Sequence, residues 1–411
     1  MIARLGTYMH TLRHMRASQL LWLLRFRLLP RSRRAPVPRV SSSGCGAHDE
    51  FLVQDTRQDM QGGAEFVGIE RRFAGSLPDW RAESQPKLWR YNLHYFDYLL
   101  WPAVSDAHKA ALIDSWIAQN PPGTTDAWEP YPVSLRVVNW IKLFLTWGPA
   151  RSIPPAWVES LAQQAAWLER NLERDILANH YFKNAKAMVF AGLYCRRADA
   201  DRWLELGVRI LREQMAEQFL ADGGHYELSP MYHCLCLEDL LDTLNLAVGC
   251  DDRLPVGWLA QVESAAGRAL DFLAAILMPG DEIPLFNDAA LGIAPPPSAL
   301  FGYAGRLFGY QRPQQPPSAL PQSGYFRLGD GENRMIIDCG PVIPPYQPGH
   351  THCDMLSYEL ALDGRPIVVD TGVYDYEPSA ERALSRSTRA HNTVGVDGAE
   401  QSEVWGVFRV A

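Results

Sequence analysis

Between about residues 104 and 278, apolar residues recur every three or four positions in one segment after another, the spacing that gives a helix an apolar face. "SDAHKAALIDSWIAQN", "VSLRVVNWIKLFLTW", "AWVESLAQQAAWLERNLERDIL" and "AKAMVFAGLYCRR" carry it, followed by "DRWLELGVRILREQMAEQFL", "PMYHCLCLEDLLDTLNLAV" and "WLAQVESAAGRALDFLAAIL". Gly and Pro mark the junctions. Helix after helix with short connections predicts stacked helical hairpins, in a bundle, a solenoid or a closed toroid. The period changes after the Pro-rich "YQRPQQPPSALPQSG". There "YFRLGD", "RMIIDCG", "LSYELALDGRPIVVDTG", "HNTVGVDGAEQ" and "WGVFRVA" are short and β-branched, with hairpin-turn signals at Asp363-Gly364 and Asp397-Gly398. These segments predict an antiparallel β domain, which reads as cut short because Ala411 falls in a strand-like run. The chain is thus an α+β multidomain protein: a basic segment and linker (1–80), a helical domain (81–315) and an antiparallel β domain (316–411).

Composition narrows the partners. The 411 residues are 47% hydrophobic and 21% charged, with no apolar run of membrane-spanning length. A net charge of −8 argues against nucleic acid but leaves room for an acidic substrate in a locally basic cleft. The 13 Trp and 16 Tyr suit a carbohydrate-handling protein. Seven scattered cysteines without a CxxC pair read as mostly buried thiols, not a disulfide framework or zinc site. The opening "MIARLGTYMHTLRHMRASQLLWLLRFRLLPRSRR" is Arg-rich and free of acids, and Arg25 and Arg27 break its apolar stretch. It makes a poor secretory signal, which by sequence alone places the protein in the cytoplasm. It reads either as a basic amphipathic helix lying peripherally on an anionic membrane or as a helix packed on the body, the simpler reading.

Four groups of residues are candidates for chemistry. "NHYFKN" holds Asn179, His180 and Lys183 at a corner between two helices, where Asn179 is placed to cap the second. In "DGGHYELSPMYH", Ser229 and Pro230 predict an N-cap and first helical residue, putting Tyr232 and His233 in the first turn. There the positive end of the helix dipole favours a phenolate, and so a usable base. His225, Tyr226 and Glu227 would line the same cleft. In "PGHTHCDMLSYELALDGRPIVVDTG", His350 and His352 form a His-x-His pair, with Asp370 and His391 as further candidate metal ligands. Hairpin pairing sets Asp370 opposite Ser357, roughly 17 Å along a strand from His352. A shared site therefore requires the Pro348-Gly349 segment to fold back as a loop. Finally, Arg136, Lys183, Lys186, Arg386 and Arg389 would form a positive cleft if they converged.

No phosphate-binding Gly-rich loop and no G-x-S-x-G elbow is present. Amide, imidazole and phenol suit β-elimination on a uronic-acid polysaccharide. That reaction needs a neutralised carboxylate, a base for the C5 proton and an acid for the leaving oxygen. Here the sequence resembles the heparinase II/III family of polysaccharide lyases, through "NHYFKN", "DGGHYELSPMYH", "GHTHCDMLSYELALDGRPIVVDTG" and "RSTRAHNTVGVDG" over roughly residues 90–411. The resemblance implies an incomplete (α/α) toroid followed by an antiparallel β-sandwich. It implies that Asn179 and His180 neutralise the uronate carboxylate, that Tyr232 is base and acid, and that His350 flanks it. It also implies a divalent metal, zinc in a structural role, on His352, Asp370 and His391, with no organic cofactor. Arg136, Lys183, Tyr226, Glu227 and Arg389 are the expected substrate contacts. A periplasmic location and a bacterial exopolysaccharide as substrate are further expectations by analogy with relatives. Two rival readings remain: a non-catalytic polysaccharide-binding or assembly protein on the same fold, and an (α/α) toroid glycoside hydrolase. The hydrolase would need a carboxylate pair among Glu129, Glu227, Asp288 and Asp354.

Overall fold

The computed structural model describes residues 2–29, 41–42, 45–53, 58–148, 151–196 and 198–410. The chain separates into two compact units: one comprising Met1–Leu20, Gln214–Leu241 and Ala260–Ala411, the other Leu21–Glu213 and Asp242–Leu259.

Two short helices, α1 (Ile2–His14) and α2 (Ala17–Leu28), precede α3 (Lys87–Tyr95). The helical array then runs through α4 (Asp106–Gln119), α5 (Pro130–Trp147), α6 (Pro155–Arg170), α7 (Ala178–Tyr194), α8 (Ala198–Gln218), α9 (Pro230–Val248) and α10 (Trp258–Ile276). These follow the predicted segments closely. The reasons are local: the Ser105 side chain accepts from His108 N to cap α4, and Pro130 and Pro230 each open a helix. α6 stops earlier than periodicity predicts, at Asn171, whose side chain bonds back to Trp167 O at 2.7 Å. α11 (Pro297–Phe308) and the short α12 (Ala380–Ser385) were not anticipated. Among the described residues, no helix is long and apolar enough to cross a membrane.

The tryptophans belong mainly to the core, not to a sugar-stacking surface: ten of the thirteen are buried. Trp80 stacks on Phe96 with centroids 5.4 Å apart, and Trp116 and Trp140 meet edge-on at 5.7 Å. Lys142 on α5 and Lys186 on α7 each reach Asp242 on α9 at 2.5 Å, all three buried. Lys186 is therefore occupied within the core and not available to a basic cleft. Five cysteines remain thiols, four of them buried, as expected, but Cys45 and Cys250 form a disulfide spanning 205 residues.

Two imidazoles are buried as neutral groups. Burial, helped by the charge of Arg136, pushes His94 down to about 3, and burial pushes His233 down to about 4. His233 Nδ1 accepts the backbone N–H of His225 at 3.2 Å while Nε2 bonds Ala269 O at 3.0 Å, so a second ring proton would face a donor. The folded values lie below the ordinary 6.5, so this stability is present above about pH 6.5 and lost as pH falls toward 4. Thermal melts from pH 7 to 4 should show a steep decline, and His94→Gln should flatten it. An equal slope in the variant would remove His94 as a cause.

Small pairs β1 (Ser41–Ser42) with β4 (Cys195–Arg196), and β2 (Gly63–Phe66) with β3 (Ile69–Arg72), decorate the helices. The main sheet is an antiparallel meander of β5 (Ala319–Leu320), β6 (Tyr325–Asp330), β7 (Asn333–Asp338), β8 (Tyr358–Leu362) and β9 (Arg365–Val368), in that spatial order. Asp363 and Gly364, both at positive φ, make the predicted two-residue turn between β8 and β9. A separate pair, β10 (Val404–Gly406) and β11 (Arg409–Val410), follows. The segment around Val396 forms only an isolated bridge to Ala399, not a strand. Phe272 and Ile276 of α10 pack with Leu320, Tyr325, Ile336 and Ala361 of the sheet into one core.

Candidate active site and metal centre

The turn before α9 is built under backbone constraint. Gly223 has φ +88°, and a Cβ there would lie 2.1 Å from Arg268 O, so only glycine fits. Leu228 adopts φ 52°, a conformation non-glycine residues rarely hold, and its carbonyl is fixed by Tyr325 Oη at 2.6 Å and Asn287 Nδ2 at 3.1 Å. Ser229 then caps α9 through Tyr232 N at 3.3 Å and donates its hydroxyl to Asp288 O at 2.7 Å. The start of α9 and the loop carrying Asp288 are thereby clamped together. Positive φ recurs at Asn287, beside Asp288. Strained residues at such points mark places where the fold enforces a geometry.

That geometry centres on Tyr232 and His350, whose rings stack with centroids 3.9 Å apart at 29°. The Tyr232 hydroxyl donates to Tyr376 Oη at 3.2 Å. Behind His350 stands Asp288, 2.9 Å from its Nδ1. The other Asp288 oxygen is 2.7 Å from His352 Nε2, and Arg382 grips both oxygens, one at 2.9 Å and one through a shorter contact. Burial opposes ionisation of Asp288, but the hydrogen bonds from His350 and His352 and the charge of Arg382 hold it well below the usual carboxylate range. Glu227 approaches His350 Nε2 at 3.9 Å.

The phenol behaves opposite to the dipole argument. Burial first, then the neighbouring Tyr376 and Asp288, push Tyr232 well above the ordinary tyrosine value. At rest it is a neutral phenol, not a phenolate. The dipole at the start of α9 is outweighed because packing removes the water a phenolate needs.

A second cluster lies close by. One donor atom each from His352, Asp354 and His391 fall within 4.8 Å of one another, all three residues buried. Among the described residues, His352 Nδ1 and His391 Nε2 have no hydrogen-bond partner, although a buried ring nitrogen ordinarily finds one. Their opposite nitrogens are held by carboxylates: His352 by Asp288, and His391 Nδ1 by both Asp370 oxygens at 2.9 and 3.0 Å. This carboxylate–imidazole arrangement fixes metal-binding tautomers, and burial keeps His352 below its usual value, as a neutral ligand requires. The donor set fits a divalent ion on His352, Asp354 and His391. Asp370, expected as a ligand, stands behind His391 instead. Ser357 Oγ donates to Asp370 at 2.9 Å, the register that hairpin pairing implies, and residues 350–357 fold back as the loop that a shared site requires. The sequence marks Asp354 only as a candidate glycosidase carboxylate, because no spacing rule links it to a histidine two residues before it.

The other candidates fall out differently. "NHYFKN" is not a corner: it lies inside the first turns of α7, and the capping position is Leu177, not Asn179. Leu177 and Ala178 both have positive φ, so the chain is forced sharply into the helix. Asn179, Lys183 and Asn184 are buried, and His180 alone among the four polar residues is partly exposed. Asn184 holds the local chain through Glu173 N at 2.7 Å and Ser134 Oγ at 2.9 Å. His180 Nδ1 lies 2.9 Å from Glu173 Oε1, its ring 4.4 Å from that of Tyr131. Arg136 is wholly buried, bonded to Gln164 Oε1 and the carbonyls of His94 and Ala127, so it is not a substrate contact. Arg386 likewise serves Thr351, Gly406 and Val407 carbonyls, leaving Arg389 exposed. Arg136, Lys186 and Arg386 are thus committed to partners within their own units, while Arg389 is not buried. Tyr226 and Glu227 are buried, with the Tyr226 hydroxyl 2.9 Å from Tyr346 Oη.

A helical array followed by an antiparallel sheet is the fold of solved heparinase III structures. One, "Crystal Structure of Heparinase III", aligns with a TM-score of 0.60 at 21% identity, covering 76% of this chain and 55% of that one. A mutant heparan sulfate lyase from Pedobacter heparinus aligns at 0.55 and 23% identity, covering 79% and 56%. The family descriptions "Heparinase II/III N-terminus" and "Heparinase II/III-like, C-terminal" match residues 106–294 and 312–411, and the chain belongs to this heparinase II/III-like family. Among curated relatives it is 26% identical over 318 residues to the heparin-sulfate lyase of Pedobacter heparinus, covering 69% of this chain and 46% of the relative. It is 25% identical over 334 residues to FtsZ-localized protein C of Caulobacter vibrioides, covering 78% and 54%. The chain thus spans about half the length of the curated relatives it matches.

Proposed function

We propose that the chain is a polysaccharide lyase that cleaves an acidic, uronate-containing polysaccharide by β-elimination. The observation that carries this reading is the Tyr232–His350 stack backed by Asp288. A carboxylate at Nδ1 keeps the proton on that nitrogen, leaving the Nε2 lone pair to act as base. His350 takes the C5 proton, and the C–H electrons form the C4–C5 double bond. The C4–O bond breaks, and its oxygen receives a proton from the neutral phenol of Tyr232. Asn179 and His180 are assigned the neutralisation of the uronate carboxylate. Relatives named heparin-sulfate lyases, from Pedobacter heparinus, Bacteroides stercoris and Bacteroides thetaiotaomicron, support an acidic polysaccharide as substrate, and a bacterial exopolysaccharide is an equal candidate. Of the candidate glycosidase carboxylates, the one backing this stack, Asp288, is ionised and gripped by Arg382, so it cannot serve as the acid.

Ultraviolet absorbance during incubation with alginate, hyaluronan, heparan sulfate, chondroitin and a native exopolysaccharide tests the proposal. A rise on any of them marks unsaturated ends, which hydrolysis does not produce. The match to FtsZ-localized protein C, a relative not named as an enzyme, favours a second reading: a polysaccharide-binding or assembly role without turnover. Retention on one polymer with no absorbance change would select it.

We further propose that zinc sits on His352, Asp354 and His391 in a structural role. It would satisfy the two orphaned imidazole nitrogens and neutralise a buried acid. Elemental analysis should find about one zinc per chain, with chelation lowering the melting temperature and His352→Ala losing the metal. A metal-free protein melting identically with and without chelator would sink this assignment.

A further inference from the structure

The first forty residues contain nine Arg and no Lys, Asp or Glu. The whole chain carries −8, so this segment is +9 and the remaining 371 residues carry −17. So sharp a separation of charge points to a partner surface that is itself anionic.

The structure divides this segment in two. α1 and the link after it are tied down within their own unit. Thr7 Oγ1 donates to Glu403 at 2.9 Å, the Tyr8 ring meets Trp405 edge-on at 4.9 Å, and Arg16 pairs with Glu217 while lying 3.9 Å above the Tyr346 ring. This part answers the reading of a helix packed on the body. α2 does not. Only Gln19 along it is buried. With successive residues about 100° apart around a helix, Leu20, Leu24, Leu28 and Leu21 fall in one stripe. They are 37%, 55%, 69% and 67% exposed. Arg27 borders the stripe on one side and Arg25 on the other, both exposed. The opposite side carries buried Gln19 and the half-buried Trp22 and Phe26, with Arg174 lying 4.9 Å over the Trp22 ring. Leu29, 66% exposed, extends the apolar surface.

We propose that this face of α2 docks on an anionic lipid bilayer, lying in the interface with its leucines among the acyl chains and Arg25 and Arg27 at the headgroups. A contiguous leucine stripe in water is unfavourable and marks an interaction surface. An acidic polysaccharide would pair with the arginines but leave the leucines in water, whereas a bilayer takes both. The −17 of the remaining chain is repelled by the same surface, so α2 leads the approach. The proposal does not depend on lyase activity.

Flotation of the full chain with phosphatidylcholine vesicles, with and without phosphatidylglycerol, is the test. Binding is expected only with the anionic lipid, weakening with salt. Arg25→Gln/Arg27→Gln should bind about thirtyfold more weakly, and Leu21→Gln/Leu24→Gln/Leu28→Gln should not float, each variant melting like the parent. Failure of the parent to float overturns the proposal, as does flotation of the leucine variant at parent level. Arginine-dependent binding to a lipid-free acidic polysaccharide without any vesicle binding also overturns it, reassigning the surface to that polymer.

Discussion

Tyr232→Phe is expected to lower the turnover of β-elimination by about 10²–10⁴-fold, the range for losing a positioned acid or base. KM should change little, because the ring that stacks 3.9 Å from His350 remains. Stability should fall only by about 1 kcal/mol, the net worth of a neutral hydrogen bond, here the one to Tyr376. In the proposed mechanism the raised pKa of the phenol suits it to the acid step. A group neutral at rest can protonate the leaving oxygen directly but cannot first abstract a proton from carbon. His350→Ala should therefore also abolish elimination, through the base step. If Tyr232→Phe keeps turnover within tenfold of the parent, the acid is another group, and the stack is packing alone.

The second large effect is structural and catalytic together. Asp288→Asn retains shape but replaces an acceptor of three donors with a group that offers hydrogens of its own. It leaves the buried Arg382 charge without its counter-ion, and breaking such a pair costs about 3–5 kcal/mol. Denaturant unfolding at neutral pH should show that loss. Arg382→Gln in the same chain should recover part of it, by removing the stranded charge. The pH dependence has a definite sign. Asp288 titrates below its ordinary value, so its contribution is complete above about pH 4 and is lost as pH falls through the depressed folded value. The gap between parent and variant should narrow in acid. A gap that stays constant to low pH would mean the carboxylate is not ionised in the folded protein.

A catalytic role for His350 predicts more than a stability loss in Asp288→Asn. Without the carboxylate at Nδ1, the imidazole has no reason to keep its proton there. Protein that remains folded should turn over slowly, and its pH–rate profile should shift, which a purely structural role for Asp288 would not cause.

The order of elements is legible in the chain, because hydrophobic period and caps act over a few residues. The helix opening at Pro230, the cap at Ser229 and the turn at Asp363-Gly364 stand where local chemistry puts them. The sequence also singled out Tyr232, His350, His352 and His391, since phenol and imidazole are scarce and conspicuous. What each group became depended on packing between distant segments. Burial, a sum over distant neighbours, turned Tyr232 from the expected phenolate into a phenol and made Arg136 a strut for buried carbonyls. Asp288 and Asp354 lie 62 and 2 residues from the histidines His350 and His352. Neither separation signals a partnership, because loop closure brings groups together without leaving a period in the chain. Local rules are written in spacing, whereas solvation and long-range pairing exist only once the chain has folded.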